Sequence, residues 1–320
     1  MLAAFAVGCG DDDRSRDATL VGVIKGLDNP FFATMRDGMT ATARRHAVPL
    51  RVAAAADLQD TAGQASDLEA LVGRRASCYV VNPISPTNLI QPLADVPKGT
   101  PIVNVDSPVD TRAAKAVGIA ITTYVGTDNA AAGRLAADTM ADLVPRGARV
   151  AIVTGIPGDV TSGARARGFQ AGAGGRFRVV ESIAADFDRE RARLAAAALL
   201  RRDPRIRGIF AVNDEMALGV AAAVRGDGVA VIGLDGIRAA LDAVASGALA
   251  ATVAQYPYTI GQLGVEACLA ALDGASVPAR VDAPVQVVTR ANVARAQAAF
   301  PQPVEPFADP LARLSERRGR

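Results

Sequence analysis

The stretch "IRGIFAVNDEMALGVAAAV", residues 206–224, decides the fold. An apolar run stops abruptly at Asn213 and Asp214, and residues 215–224 continue as a helix. "VAVIGLDG" (229–236) follows and again ends an apolar run on a carboxylate, Asp235. Strand, helix, strand over so short a span predicts a βαβ unit, with parallel strands covered by helices.

Working outward, the same grammar recurs. "TLVGVIK" (19–25) is a β-rich run, and Phe32, Met35, Met39 and Ala43 then fall at helical spacing. "PLRVAAAA" (49–56) reads as a strand and "DTAGQASDLEALVGR" (60–74) as a helix capped by its aspartate. "ASCYVVN" (76–82) ends in the two-proline turn "NPISP", and "TPIVNVDSP" (100–108) ends in Asp106 and Pro108. The pattern restarts at "ITTYVGTD" (121–128) and the helix "NAAAGRLAADTMADLV" (129–144). It continues through "ARVAIVTG", a helix around 163–173, "RVVESIA", a helix over 189–202 and finally "AATVAQYP" (250–257). About ten such strands exceed one comfortable sheet. The expected fold is α/β, with two Rossmann-like lobes built on parallel sheets.

Composition bounds the function. Half of the 320 residues are apolar and 21% are charged, enough for a sizeable core. The net charge of +2 gives no argument for a nucleic-acid partner. Cys78 and Cys268 lie in apolar stretches and read as buried free thiols, without metal-ligand spacing. Cys9 ends "MLAAFAVGC", before the acidic "GDDD", and resembles the lipidation site of a bacterial lipoprotein signal. No other segment approaches the ~18 apolar residues of a membrane span. His46 reads as a solvated residue on a polar helix end, and the proline- and charge-rich 300–320 as a loosely ordered, flexible tail.

In open α/β sheets, ligands bind beyond the carboxyl ends of the strands. The residues found there are Lys25, Asn29, Asn82, Asp106, Arg165, Phe187, Asn213, Asp235 and Gln255, with Phe31 and Phe32 beside them. Taken singly, the two aspartates and Asn213 also fit turns or helix caps, the phenylalanines a core, and Arg165 a surface. Together they form a set suited to a sugar. Amides and carboxylates take hydroxyl protons, Lys and Arg donate to oxygen lone pairs, and rings cover the C–H faces.

The segments "NPFF", "VVNPISP", "IVNVDSP", "TDNAAAG", "SGARARGF", "ADFDRER", "IFAVNDEMALG", "VIGLDG" and "ATVAQYP" run in order along the chain. Together they resemble the periplasmic sugar-binding proteins of ABC importers, the ribose-type cluster. The resemblance implies the type I periplasmic binding protein fold, with lobes joined by three crossings near 126–128, 255–257 and 284–286. One lobe would comprise 19–126 plus 256–284, the other 127–255 plus 285–299, with 1–18 a signal remnant and linker. The implied ligand set is Lys25, Asn29, Phe31, Phe32, Asn82, Asp106, Ser107, Arg165, Phe187, Asn213, Asp235 and Gln255.

Ribose binders generally carry a small hydroxyl at position 25 and an arginine at 107; Lys25 and "VVNPISPTNLIQPL" are closer to the allose-binding members. Those members have an acidic residue at 107 and a tryptophan at 32, which this chain lacks. The expected ligand is a D-allose-like aldohexose, then ribose or a related pentose or polyol. A monomeric receptor is implied, periplasmic or on the outer face of the cytoplasmic membrane, anchored through Cys9 and delivering to ABC permease subunits. No cofactor and no metal are expected.

Two other classes share parts of this pattern. A sugar-responsive repressor would need a helix-turn-helix headpiece, but the β–α pattern begins by residue 19. A glycosidase using Asp106 and Asp235 would need tuned carboxyls, for which the sequence holds no signal, and no nucleophile elbow, P-loop or G-x-G-x-x-G occurs. A chemosensory role shares the same core.

Overall fold

The computed structural model describes residues 18–224, 226 and 228–315. Cys9 and the preceding apolar stretch lie outside the described residues, as do residues 316–320.

The chain first builds β1 (Leu20–Ile24), α1 (Pro30–Arg45), β2 (Leu50–Ala54), α2 (Thr61–Val72) and β3 (Cys78–Val81). It continues with α3 (Ile90–Ala94), β4 (Ile102–Val105), α4 (Thr111–Ala116) and β5 (Thr123–Gly126). A second series follows: α5 (Asn129–Leu143), β6 (Arg149–Thr154), α6 (Val160–Ala173), β7 (Arg178–Ala184) and α7 (Arg189–Arg202). It ends with β8 (Ile206–Ala211), α8 (Asp214–Ala223), β9 (Ala230–Asp235), α9 (Arg238–Ser246) and β10 (Ala251–Ala254). The last part holds α10 (Pro257–Leu272), β11 (Arg280–Asp282), β12 (Gln286–Thr289), α11 (Val293–Ala299) and α12 (Ala312–Ser315).

Two six-stranded sheets result, ordered β11-β5-β4-β3-β1-β2 and β12-β10-β9-β8-β6-β7. Every pairing is parallel except β10 with β12, which is antiparallel. The sheets therefore define two α/β lobes of like strand order. The chain passes between them after β5, after β10 and between β11 and β12. The short β11 and β12 were not expected as strands; at three and four residues they carry almost no periodic signal.

Helix starts follow the sequence closely. Asp60, Asp110, Asp128, Asp159 and Asp188 each cap the helix that follows by accepting its exposed backbone N–H groups. Strands β1, β3 and β4 are buried along their whole length, as parallel strands covered on both faces should be. Helices α5 and α6 meet backbone to backbone at Gly133 and Gly168. A Cβ at Gly133 would lie 2.1 Å from the Arg165 carbonyl oxygen, and one at Gly168 2.1 Å from that of Ala130. This close approach sets the position of the helix that carries Arg165.

Three expectations are corrected. Cys78 on β3 and Cys268 on α10 are joined in a disulfide, with Cα atoms 5.8 Å apart. They are buried in apolar surroundings, as expected, but 190 residues of separation hid their proximity. The tail is also not loose over 300–314. Leu311 is fully buried, and Phe300, Val304, Phe307 and Leu314 pack against the core. His46 forms the half-buried C-cap of α1 rather than standing on a solvated face.

Candidate functional site

The carboxyl ends of both sheets face a single cavity of about 360 Å³ between the lobes. The first lobe lines it with Lys25, Asn29, Phe31, Phe32, Asp106 and Ser107, the second with Arg165, Phe187, Asn213 and Asp235. These ten are brought together from loops, helix starts and strand ends spread over more than 200 residues.

On the first lobe, Asn29 caps α1, its Oδ1 accepting from the Phe31 N–H at 3.0 Å. Phe31 and Phe32 stand edge to face, 5.2 Å between ring centres. The buried Lys25 ammonium lies 5.6 Å from the Phe32 ring centre and donates to Ser107 Oγ at 2.7 Å. Ser107 in turn donates to Asp106 Oδ2 at 3.3 Å. The two positions that depart from the ribose-type pattern, 25 and 107, thus touch each other. Asp106 sits at φ +57°, where its carbonyl accepts from Tyr124 Oη at 2.6 Å.

On the second lobe, Arg165 is 5% exposed and held by three hydrogen bonds. Its Nε donates to Asn129 Oδ1 at 2.7 Å, and one terminal nitrogen to the Val212 carbonyl at 2.8 Å and to Asp235 Oδ1 at 3.3 Å. Gln255 Nε2 also donates to Asp235 Oδ1, at 2.6 Å. Burial pushes the Asp235 carboxyl up to about 8, against the pull of the Arg165 guanidinium. The neighbouring Asp214 accepts from the Gly236 and Ile237 N–H groups and from Thr252, yet burial still raises it to about 6. Asn213 caps α8 through the Met216 N–H at 3.0 Å. Phe187 lies over Gly155, where any Cβ would strike the ring at 2.2 Å.

Asp106, Phe187 and Asp235 all hold positive φ angles, of 57°, 61° and 140°. Non-glycine residues adopt such angles at a cost, and they gather where a side chain must be aimed.

Asn82 and Gln255 were expected among the lining residues but sit one layer behind. Both are fully buried and neither borders the cavity. Asn82 Oδ1 accepts from the Ser107 N–H, and Gln255 orients Asp235. Sequence position places a residue at a strand end without giving its depth. Asn129, which holds Arg165, was missed as an individual residue although "TDNAAAG" was noted. An apolar rim of Leu58, Ile84, Pro86, Ile156, Pro157 and Val160 was also missed, since residues in loops and at a helix start carry no periodic signal. Among the described residues, no cluster of His, Cys, Asp or Glu could hold a metal ion, and no helix is long and apolar enough to cross a membrane.

Fold and cleft together define a two-lobed binding protein with its site between the lobes. Residues 21–276 match the periplasmic binding protein domain family, and the chain belongs to that family. It is 32% identical over 230 residues to the ribose import binding protein of Bacillus subtilis, covering 71% of this chain and 72% of that one. It is 34% identical over 226 residues to the D-allose-binding periplasmic protein of Escherichia coli, covering 68% and 73%. Among solved structures, a solute-binding protein of an ABC transporter from Actinobacillus succinogenes, with bound D-allose, superposes with a TM-score of 0.82 at 30% identity. The alignment spans 87% of this chain and 99% of that one. These relatives are binding proteins, not enzymes.

Proposed function

We propose that the chain is the extracytoplasmic receptor of a carbohydrate ABC importer and binds a monosaccharide between its lobes. One observation carries this reading: Lys25, Asn29 and Asp106 from one lobe and Arg165, Asn213 and Asp235 from the other converge on one cavity flanked by Phe31, Phe32 and Phe187. A ring of hydroxyls would meet donors and acceptors at its edge and phenyl groups on its faces. The solute bridges the lobes and favours the closed state through contacts that only this state completes, with the three crossings as the hinge. The Cys78–Cys268 disulfide supports an oxidising, extracytoplasmic location, with Cys9 as lipid anchor of a monomeric receptor. The buried Lys25 favours an aldohexose such as D-allose over ribose. The partner is the permease that accepts the closed form.

Titration calorimetry with D-allose, D-ribose, D-arabinose and xylitol tests the reading. At least one sugar binds the native protein, and Arg165→Ala weakens that sugar by roughly 2–5 kcal/mol by leaving buried partners unpaired. No heat with any monosaccharide or polyol, or an unchanged dissociation constant in the variant, overturns it.

A further inference from the structure

Residues 300–314 leave α11 on the second lobe, cross the region of the three interlobe passages and end against α10 on the first lobe. They lie beyond the family-matched residues 21–276. On the second lobe the segment is held by the Arg295–Glu305 ion pair at 2.7 Å. In mid-course it grips two passages at once. The Val304 N–H donates to Tyr256 Oη at 3.2 Å, and Tyr256 Oη donates to Gln286 Oε1. Gln286 also accepts from the Glu305 N–H at 3.2 Å and donates back to the Glu305 carbonyl at 3.4 Å. Tyr256 belongs to the second passage, at a φ of +56°, and Gln286 opens β12 just beyond the third.

On the first lobe the anchor is an apolar plug with a polar clip. Leu311 is fully buried. Gln262 of α10 donates to Asp309 Oδ2 at 3.2 Å and to Glu266 Oε1 at 3.1 Å. The segment is thus a fourth connection between the lobes, and its far end is held by non-covalent contacts alone.

We propose that residues 300–314 form a strap that braces the hinge and narrows the range of lobe orientations in the solute-free protein. Hinge motion is absorbed by backbone torsions at a few residues. Here the strap ties Tyr256 to Gln286, so these torsions cannot change without breaking its hydrogen bonds or drawing Leu311 from its socket. The inference rests on reading the passages as a hinge and is independent of which solute fills the cleft.

The test places nitroxide labels on keto-bearing non-natural side chains at positions 117 and 194, leaving the cysteines untouched. Val117 on the first lobe and Leu194 on the second are both exposed. Pulsed dipolar spectroscopy then gives the interlobe distance distribution of the full chain without sugar. Leu311→Asp, which expels the plug, gives a roughly twofold wider distribution, and Leu311→Met restores the native width. Tyr256→Phe keeps the ring but removes the bridging hydroxyl; it widens the distribution too and serves should the aspartate variant fail to fold. Native width in a folded Leu311→Asp variant, or in Tyr256→Phe, overturns the proposal. Failure of the sugar reading shows separately, as no shift of the native distribution on adding D-allose or D-ribose.

Discussion

Asn29 and Asn213 do the same two tasks on opposite lobes: each caps a helix with its amide oxygen while bordering the cleft. The cap consumes the oxygen and leaves the NH2 group for a ligand. Stability and affinity should therefore separate. Asn29→Asp and Asn213→Ser keep a capping oxygen and lose the amide donor. Thermal melts should stay near native, while calorimetry shows sugar binding weakened by about 1–3 kcal/mol. Alanine at either position should lose affinity and also about 1 kcal/mol of stability.

Lys25 and Ser107 are in direct hydrogen-bond contact, so their contributions to selectivity should be coupled. Lys25→Ser alone removes a buried donor and should weaken every sugar bound. The double variant Lys25→Ser with Ser107→Arg returns a cation to the same space. It should recover part of the loss and move the D-allose to D-ribose affinity ratio toward ribose by roughly tenfold. Competition calorimetry of the native protein, Lys25→Ser, Ser107→Arg and the double variant gives the coupling directly, and additive effects would show that the contact is incidental.

Three buried carboxyls share one direction of shift. Burial raises Asp235 to about 8, Asp214 to about 6 and Glu266 to about 8. Glu266 faces Arg45, which opposes the rise, and Asp309, which adds to it. Between the ordinary carboxyl value and these raised values the folded protein holds more protons than the unfolded chain, so stability falls as pH rises. Melting temperature should decline from pH 5 to pH 8. Glu266→Gln should flatten part of that slope while leaving the cleft intact. A melting temperature that rises over this window would contradict the buried-proton account.

The Cys78–Cys268 bond closes a very long loop, so its loss should cost roughly 3–5 kcal/mol. Denaturant melts of a Cys78→Ala/Cys268→Ala variant, or of the reduced protein, measure this. The cleft residues lie elsewhere, so sugar affinity below the transition should be close to native.

What could be read from residues alone follows physical lines. Asp106 and Asp235 were legible because an apolar run that ends on a carboxylate marks a strand end, and strand ends in such sheets face one crevice. Asn82 and Gln255 show the same signal, yet their side chains turn inward, and depth leaves no trace in linear order. The disulfide was illegible because α10 returns to the first sheet only after five of the six strands of the second sheet, β6 to β10, have been laid down. The tail misled because Phe300, Val304, Phe307 and Leu311 fall at helix-like spacing, yet Pro301, Pro303, Pro306 and Pro310 among them forbid a helix, so the run reads as a linker.

The bond between β3 and α10 also gives the molecule an unusual covalent topology. Everything from residue 78 to 268, the entire second sheet except β12 included, lies within one closed ring. A protease nick in any surface loop of that ring would leave a single particle whose pieces part only on reduction and unfolding. In an environment rich in proteases, such a receptor tolerates a broken backbone without shedding half of its binding site.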